Sequence, residues 1–336
     1  MRNDDTRPVV DVHAHFVTPW YAEEAIAAGH ALPDGMPAWP EWTPEAHLRL
    51  MDAHGIDQAV LSISSPGVHF GDDDAAADLA RRVNDFASAT CAKWPDRFRF
   101  FAALPLPAVD AALAEAARGL DELGAAGVAV ETNAHGHYLN ESVFEPVLAE
   151  LDRRAAVVFV HPTSPPGWER TALGAPRPMV EFLVETTRTA AALLIDGTPS
   201  RYPSLQLIVT HCAAFLPLLA DRLKLFAGAI GTDGDGAVID DGLSRLWYDL
   251  AGTPMPRHAE ALIAMAGSEH LLYGSDYCWT PPPAVAAQIA SLDEGWRRDV
   301  HGPWRELVAA NAARLLPATL VDRIADDAAA ARSVLG

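Results

Sequence analysis

The sequence predicts a (β/α)8 barrel. Short apolar or β-branched runs recur eight times along its 336 residues, and each is followed by an Ala/Leu/Arg-rich stretch of helical pattern. Strands that alternate with helices pair in parallel, and near-continuous apolar strands belong to a sheet covered on both faces. Half of the residues are apolar, enough for a large core. Eight such units in about 300 residues fit the barrel. A doubly wound sheet is the alternative, but no G-x-G-x-x-G follows the first strand.

The runs, in order, are VVDVH (9–13), QAVLSI (58–63), FRFFAAL (98–104), GVAVET (127–132), AVVFVH (156–161), LQLIVTH (205–211), RLWYDLA (245–251) and HLLYGSD (270–276). Helical patterns such as PEAHLRLMDAHG, DAALAEAARGLDELGAAG and FEPVLAELDRRA lie between them; the second closes on glycine, as a helix C-terminus does. No repeat or linker divides the chain, so residues 1–336 are expected to form a single barrel domain. Two segments break the alternation: 16–43 after the first strand, with Pro and Trp, and 162–178 after the fifth. Insertions of this kind sit at the C-terminal face of a barrel, where active sites are built.

Composition excludes several function classes. No run of 18 apolar residues exists, so no membrane span is expected. The start, MRNDDTRPVV, has no apolar segment of the secretory kind. Three cysteines do not make a disulfide framework, and a cytoplasmic location is expected. A net charge of −20 disfavours nucleic acid and anionic membranes as partners. An anionic substrate remains compatible, because a metal ion reverses the sign locally. Only two lysines occur, Lys93 and Lys224, both in helical segments, which leaves Schiff-base chemistry and carbamylated-lysine bridges almost without a residue.

The polar residues at the strand ends carry the chemistry. In VVDVHAH, strict alternation places Asp11, His13 and His15 on one face and Val10, Val12 and Ala14 on the other. His161 ends the fifth strand, His211 the sixth and Asp276 the eighth. Residues of metal-ligand type thus converge on one barrel mouth. Neutral imidazoles with one carboxylate suit Zn²⁺ with an open position, and Mn²⁺ fits the same mixed set. His13, His15, His161 and Asp276 are the expected ligands. His211 is the expected acid/base or orienting group beside them, with Asp276 sharing the catalytic role.

The motifs DVHAHF, VFVHPT, VTHCAAFLP and LLYGSDYCW resemble those of the amidohydrolase superfamily, in the branch of aminocarboxymuconate-semialdehyde decarboxylase. The similarity runs from residue 9 to about 316, and LSISSPGVHFGDDDAAADLARRVNDFA resembles members grouped with 6-methylsalicylate decarboxylase. The resemblance implies a metal-dependent, non-oxidative decarboxylase on a distorted barrel, usually a homodimer. It also implies the same four ligands and His211 as the catalytic histidine. Two departures stand out. The strand-6 histidine, often followed by glycines in the family, is followed here by Cys212-Ala213-Ala214. Residues 16–48 hold no Arg or Lys to match the substrate-binding arginine of the aminocarboxymuconate enzymes, which disfavours that substrate and leaves a phenolic acid chelated by the metal compatible.

Other positions read as follows. His69, Phe70 and Trp279 are candidate substrate contacts. Glu131 is a candidate extra ligand, and Asp11 a candidate partner for a ligand histidine. His135 and His137, in NAHGHYL, form a second H-x-H on a glycine-bearing loop, and one of them is a candidate substrate contact. Cys212 and Cys278 read as packing residues. His30, His47, His54, His258, His270 and His301 read as surface or cap residues. The expected reaction is loss of CO2 from an aromatic or unsaturated carboxylic acid, with no organic cofactor. A hydrolase of a lactone, ester or amide uses the same ligands. A non-enzymatic binding protein would call for a damaged ligand set, and none of the five polar positions is missing.

Overall fold

A computed structural model describes residues 8–229 and 236–316. Its main sheet has eight parallel strands in sequence order: β1 (Val10–His15), β2 (Gln58–Ser62), β3 (Phe98–Ala103), β4 (Gly127–Glu131), β5 (Val157–His161), β6 (Gln206–Val209), β7 (Trp247–Asp249) and β8 (Leu271–Leu272). The chain after β8 returns to β1. Tyr273 and Tyr277 bridge to Asp11 and Ala14, and the Val12 amide donates to the Tyr273 carbonyl at 2.9 Å. That closure makes the sheet a barrel and disposes of the doubly wound alternative. The last three strands are shorter than their apolar runs, because 210–214 and 273–277 bend into the mouth after regular pairing has ended.

Two apolar layers follow from the alternation. Val12, Val60, Phe101, Phe159 and Ile208 fill the barrel interior, and Ala312 and Leu315 of the last described helix, with Leu316 after it, join them. Ala59, Leu61, Phe100, Val158 and Val160 point outward against the helices. Hydrogen bonds fix helix to strand at set points. Asn84, within the helix Asp73–Lys93, donates to the Ala103 carbonyl at 3.0 Å and accepts the Ala103 amide at 2.8 Å, tying that helix to the end of β3. The helices Pro19–Ala27 and Pro44–His54 start on threonine caps, Thr18 and Thr43, each followed by proline at the first helical position. His47, expected at the surface, is buried in the second of these helices and accepts from the Trp42 indole at 3.1 Å. Among the described residues no helix is long and apolar enough to cross a membrane.

The first strand departs from simple alternation. Asp11 pairs with Ala59, but Ala14 pairs with Leu61, so β1 carries one extra residue between them. The bulge reverses the faces. Val10 and Val12 point into the barrel, while Ala14 points outward with Ala59 and Leu61. Asp11 therefore does not share a face with His13 and His15. Its Oδ1 accepts the backbone amides of His13 and Ser275.

The two insertions carry short helical turns and meet over the mouth. Arg177 of the second donates to Ser164 at 2.9 Å, and the Ser164 hydroxyl donates to Asp34 of the first. At the other side of the mouth, β6 ends in four consecutive residues with positive φ, His211, Cys212, Ala213 and Ala214. Only glycine adopts such angles freely, which explains why glycines suit these positions. Ala214, at φ 53 and ψ −120, lies outside even the ordinary left-handed region. Ala214→Gly is expected to stabilise the fold by about 1 kcal/mol, read as a higher midpoint of thermal unfolding; an unchanged or lowered midpoint would show that the turn carries no strain.

Candidate metal centre

The strand ends and the bulge bring four polar side chains together. One ligand atom from each of His13, His15, His161 and Asp276 lies within 4.8 Å of the others. His13, His15 and His161 are buried, and the Asp276 side chain keeps 19 % exposure toward the mouth. His13 Nε2 and His15 Nε2 stand 3.5 and 3.3 Å from the same carboxylate oxygen, Asp276 Oδ1. Neither nitrogen has a hydrogen-bond partner. Asp276 itself sits at φ 59, held by its amide to the His13 carbonyl at 2.7 Å and by the Thr280 hydroxyl at 3.2 Å.

The far sides of the two β1 imidazoles are fixed. The His15 Nδ1 hydrogen goes to the Ser62 hydroxyl at 3.0 Å, and that hydroxyl donates onward to the Ala14 carbonyl. The His13 Nδ1 hydrogen goes to Asp249 Oδ2 at 2.8 Å. Asp249, at the end of β7, also accepts the amides of His211 and Ala251, both at 2.9 Å. Each ring therefore keeps Nε2 turned to the centre, the arrangement a ligating imidazole needs. His211 completes the rim, its Nε2 at 3.7 Å from Asp276 Oδ2.

Charge is tightly balanced here. Burial opposes a proton on His13, but Asp249 and Asp276 outweigh it and hold its pKa up at about 10. Burial pushes His15 down and His161 far down. Burial also works against the Asp276 anion, yet the imidazoles of His13, His15 and His211 around it hold it well below the usual carboxylate range. Orphaned nitrogens and one low-pKa carboxylate are a donor set for a divalent cation.

A cavity of about 340 Å³ opens on this cluster, lined by His161, His211, Asp276, Phe182, Leu183 and Trp279. Of the three expected substrate contacts, only Trp279 is here. His69 and Phe70 line a neighbouring cavity of about 390 Å³, and Asp34 lines both. His69 is bound to His135 at 2.8 Å and to Asp73 at 2.9 Å, and His137 pairs with Glu141 on the exterior. Glu131 reaches to within 3.5 Å of His161. His258, expected at the surface, lines the metal-side cavity and donates to the Ala214 carbonyl. Sequence reasoning passed over Asp249, Ser62 and Asp34. An acidic residue at the end of the apolar run RLWYDLA was the signal for Asp249; Ser62 and Asp34 had none.

Comparison with known proteins gives the family. The profile of the amidohydrolase family matches residues 10–331. The chain is 34 % identical over 302 residues to decarboxylase yanB of Aspergillus niger, covering 84 % of this chain and 81 % of that one. It is 32 % identical over 320 residues to 6-methylsalicylic acid decarboxylase acuB of Aspergillus aculeatus, covering 92 % and 96 %. A crystal structure described as an amidohydrolase superposes with a TM-score of 0.84 at 32 % identity, over 91 % of this chain and 99 % of the other. The dihydroxybenzoic acid decarboxylase of Polaromonas sp. JS666, solved with manganese and 2-nitroresorcinol, has the same fold at a TM-score of 0.78 and 24 % identity, over 92 % and 96 %. The chain belongs to the amidohydrolase family.

Proposed function

We propose that this protein is a metal-dependent, non-oxidative decarboxylase of an aromatic carboxylic acid of the hydroxybenzoate or salicylate type. The observation that carries the reading is the convergence of three imidazoles and one carboxylate within 4.8 Å at the floor of a cavity with apolar walls. The names of the relatives, decarboxylases of 6-methylsalicylic and dihydroxybenzoic acids, support it. His13, His15, His161 and Asp276 would hold Zn²⁺ or Mn²⁺; the mixed nitrogen and oxygen donors suit both. When bound, the ion supplies Lewis acidity toward the substrate carboxylate and its adjacent hydroxyl.

The protein's own residues do the rest. Trp279 and Phe182 flank the ring, while His69 and Phe70 stand behind Asp34 in the neighbouring cavity. His211 and Asp276 form the proton-carrying pair. The proton goes to the ring carbon that bears the carboxylate. The bond to the carboxylate carbon then breaks, its electron pair returns to the ring, and CO2 leaves as aromaticity is restored. Solvent reprotonates the pair through the mouth, where both side chains are partly exposed. The hydrolase alternative differs in product: a ring-opened or cleaved acid in place of CO2.

We further take the chain as one barrel domain with two insertions, and as cytoplasmic, in keeping with free Cys91, Cys212 and Cys278. We also propose a homodimer. Phe215, Leu218, Leu225 and Phe226 are exposed along one side of the helix Leu216–Ala229 and its leading residue, a stripe too apolar for water alone.

Purified protein is expected to contain about one Zn²⁺ or Mn²⁺ per chain, and His13→Ala and Asp276→Ala are expected to lose it; elemental analysis decides, and a wild type that stays empty after both ions are added would overturn the reading. The loaded enzyme is expected to release CO2 from hydroxybenzoates. His211→Asn should retain the ion and lose about 10²- to 10⁴-fold in kcat, and a full-rate variant would remove His211 from the proton path. Sedimentation should show a dimer that Leu218→Asp with Leu225→Asp dissociates; a monomeric wild type would refute the interface.

A further inference from the structure

His13 and His15 each set Nδ1 against an oxygen, at 2.8 Å from Asp249 and 3.0 Å from Ser62. His161 has no such bond. Its Nδ1 stands 3.5 Å from Glu131 Oε2, and both atoms are buried without a hydrogen-bond partner. Two buried polar atoms left facing one another are costly unless something completes them. Glu131 and His161 are register partners across β4 and β5, so their side chains leave the sheet side by side. Behind Glu131 runs the loop after β2. A Cβ on Gly67, at φ +76, would stand 3.4 Å from Glu131 Cγ, so this loop runs close along the side chain, which also lines the neighbouring cavity.

A ligating histidine needs an acceptor on its second nitrogen to fix tautomer and ring rotation. We propose that Glu131 is this acceptor for His161. The inference rests on the reading of His161 as a metal ligand given above. A shift of about 0.5 Å closes the contact to ordinary hydrogen-bond length. Glu131 is then a positioning residue. It touches neither ion nor substrate, and it holds His161 Nε2 toward the centre as Asp249 holds His13. The other role open to it, direct coordination of an ion, predicts different behaviour.

The test is metal affinity of the full-length protein, stripped by a chelator and titrated with Zn²⁺ against a chromophoric competitor, with the Co²⁺ absorption band as a second readout. Glu131→Gln keeps an oxygen in the same place and is expected to bind within about 3-fold of wild type, whereas Glu131→Ala should bind about 10- to 100-fold more weakly with a shifted Co²⁺ band and still one ion per chain. Undiminished affinity in Glu131→Ala overturns the proposal. So does an equal loss in both variants, or a fall from two ions to one, either of which makes Glu131 a ligand. A wild type that binds no ion overturns the metal reading itself, and this inference falls with it.

Discussion

The functional cluster depends on how the barrel closes. Residues 273–277 lie along β1 through the Tyr273 and Tyr277 bridges, and the Asp276 amide donates to the His13 carbonyl at 2.7 Å. That bond joins the carboxylate of the eighth unit to the histidine of the first across some 260 residues of sequence. Without it the Asp276 carboxylate has no reason to lie between His13 and His15. The close approach also fixes residue identity nearby. At Gly274 a Cβ would fall 2.7 Å from the His13 Cβ and 3.2 Å from that of Asp249, so only glycine lets the two chain ends meet at this spacing. Closure therefore acts at once as a fold constraint and as the step that assembles the candidate site.

Asp249 plays a second organising part. It is fully buried, and burial raises the cost of its charge, yet the His13 imidazole and two backbone amides hold its pKa low. One carboxylate thus orients the His13 ring and pins the backbone of His211, which begins the run of positive φ. A buried anion with three donors is stable where a lone one is not. The unfavourable backbone of His211–Ala214 persists because Asp249 at one end and His258 at the other over-determine it.

Most of the architecture was legible in the sequence because the barrel writes itself as a period. Each apolar run marked a strand, and the polar residue at its end marked the mouth. The ligand-type residues His13, His15, His161 and Asp276 were found this way. What stayed hidden had no periodic signature. The bulge between Asp11 and Ala14 is a single extra residue, invisible in an alternating string, and it turned Asp11 away from the face alternation gave it. His47 read as a surface residue because it sits in a polar helix, yet the fold buries it against Trp42 and Tyr277. The split of the mouth into two cavities depends on Asp34 and Ser164, contributed by insertions 130 residues apart, and no local pattern encodes that meeting.

The charge balance at the centre bears on how a chain of net charge −20 would accept the acidic substrate proposed above. Two carboxylates, Asp249 and Asp276, face one imidazole whose pKa they hold at about 10, so the cluster without an ion carries a net negative charge that repels a benzoate. A divalent cation held by His13, His15, His161 and Asp276 would replace that proton, bring the cluster to neutrality and supply attraction for an anionic oxygen. The apolar lining of the cavity would strengthen that attraction by keeping the local dielectric low. On the proposed function, electrostatics would set the order of binding, the ion before the acid.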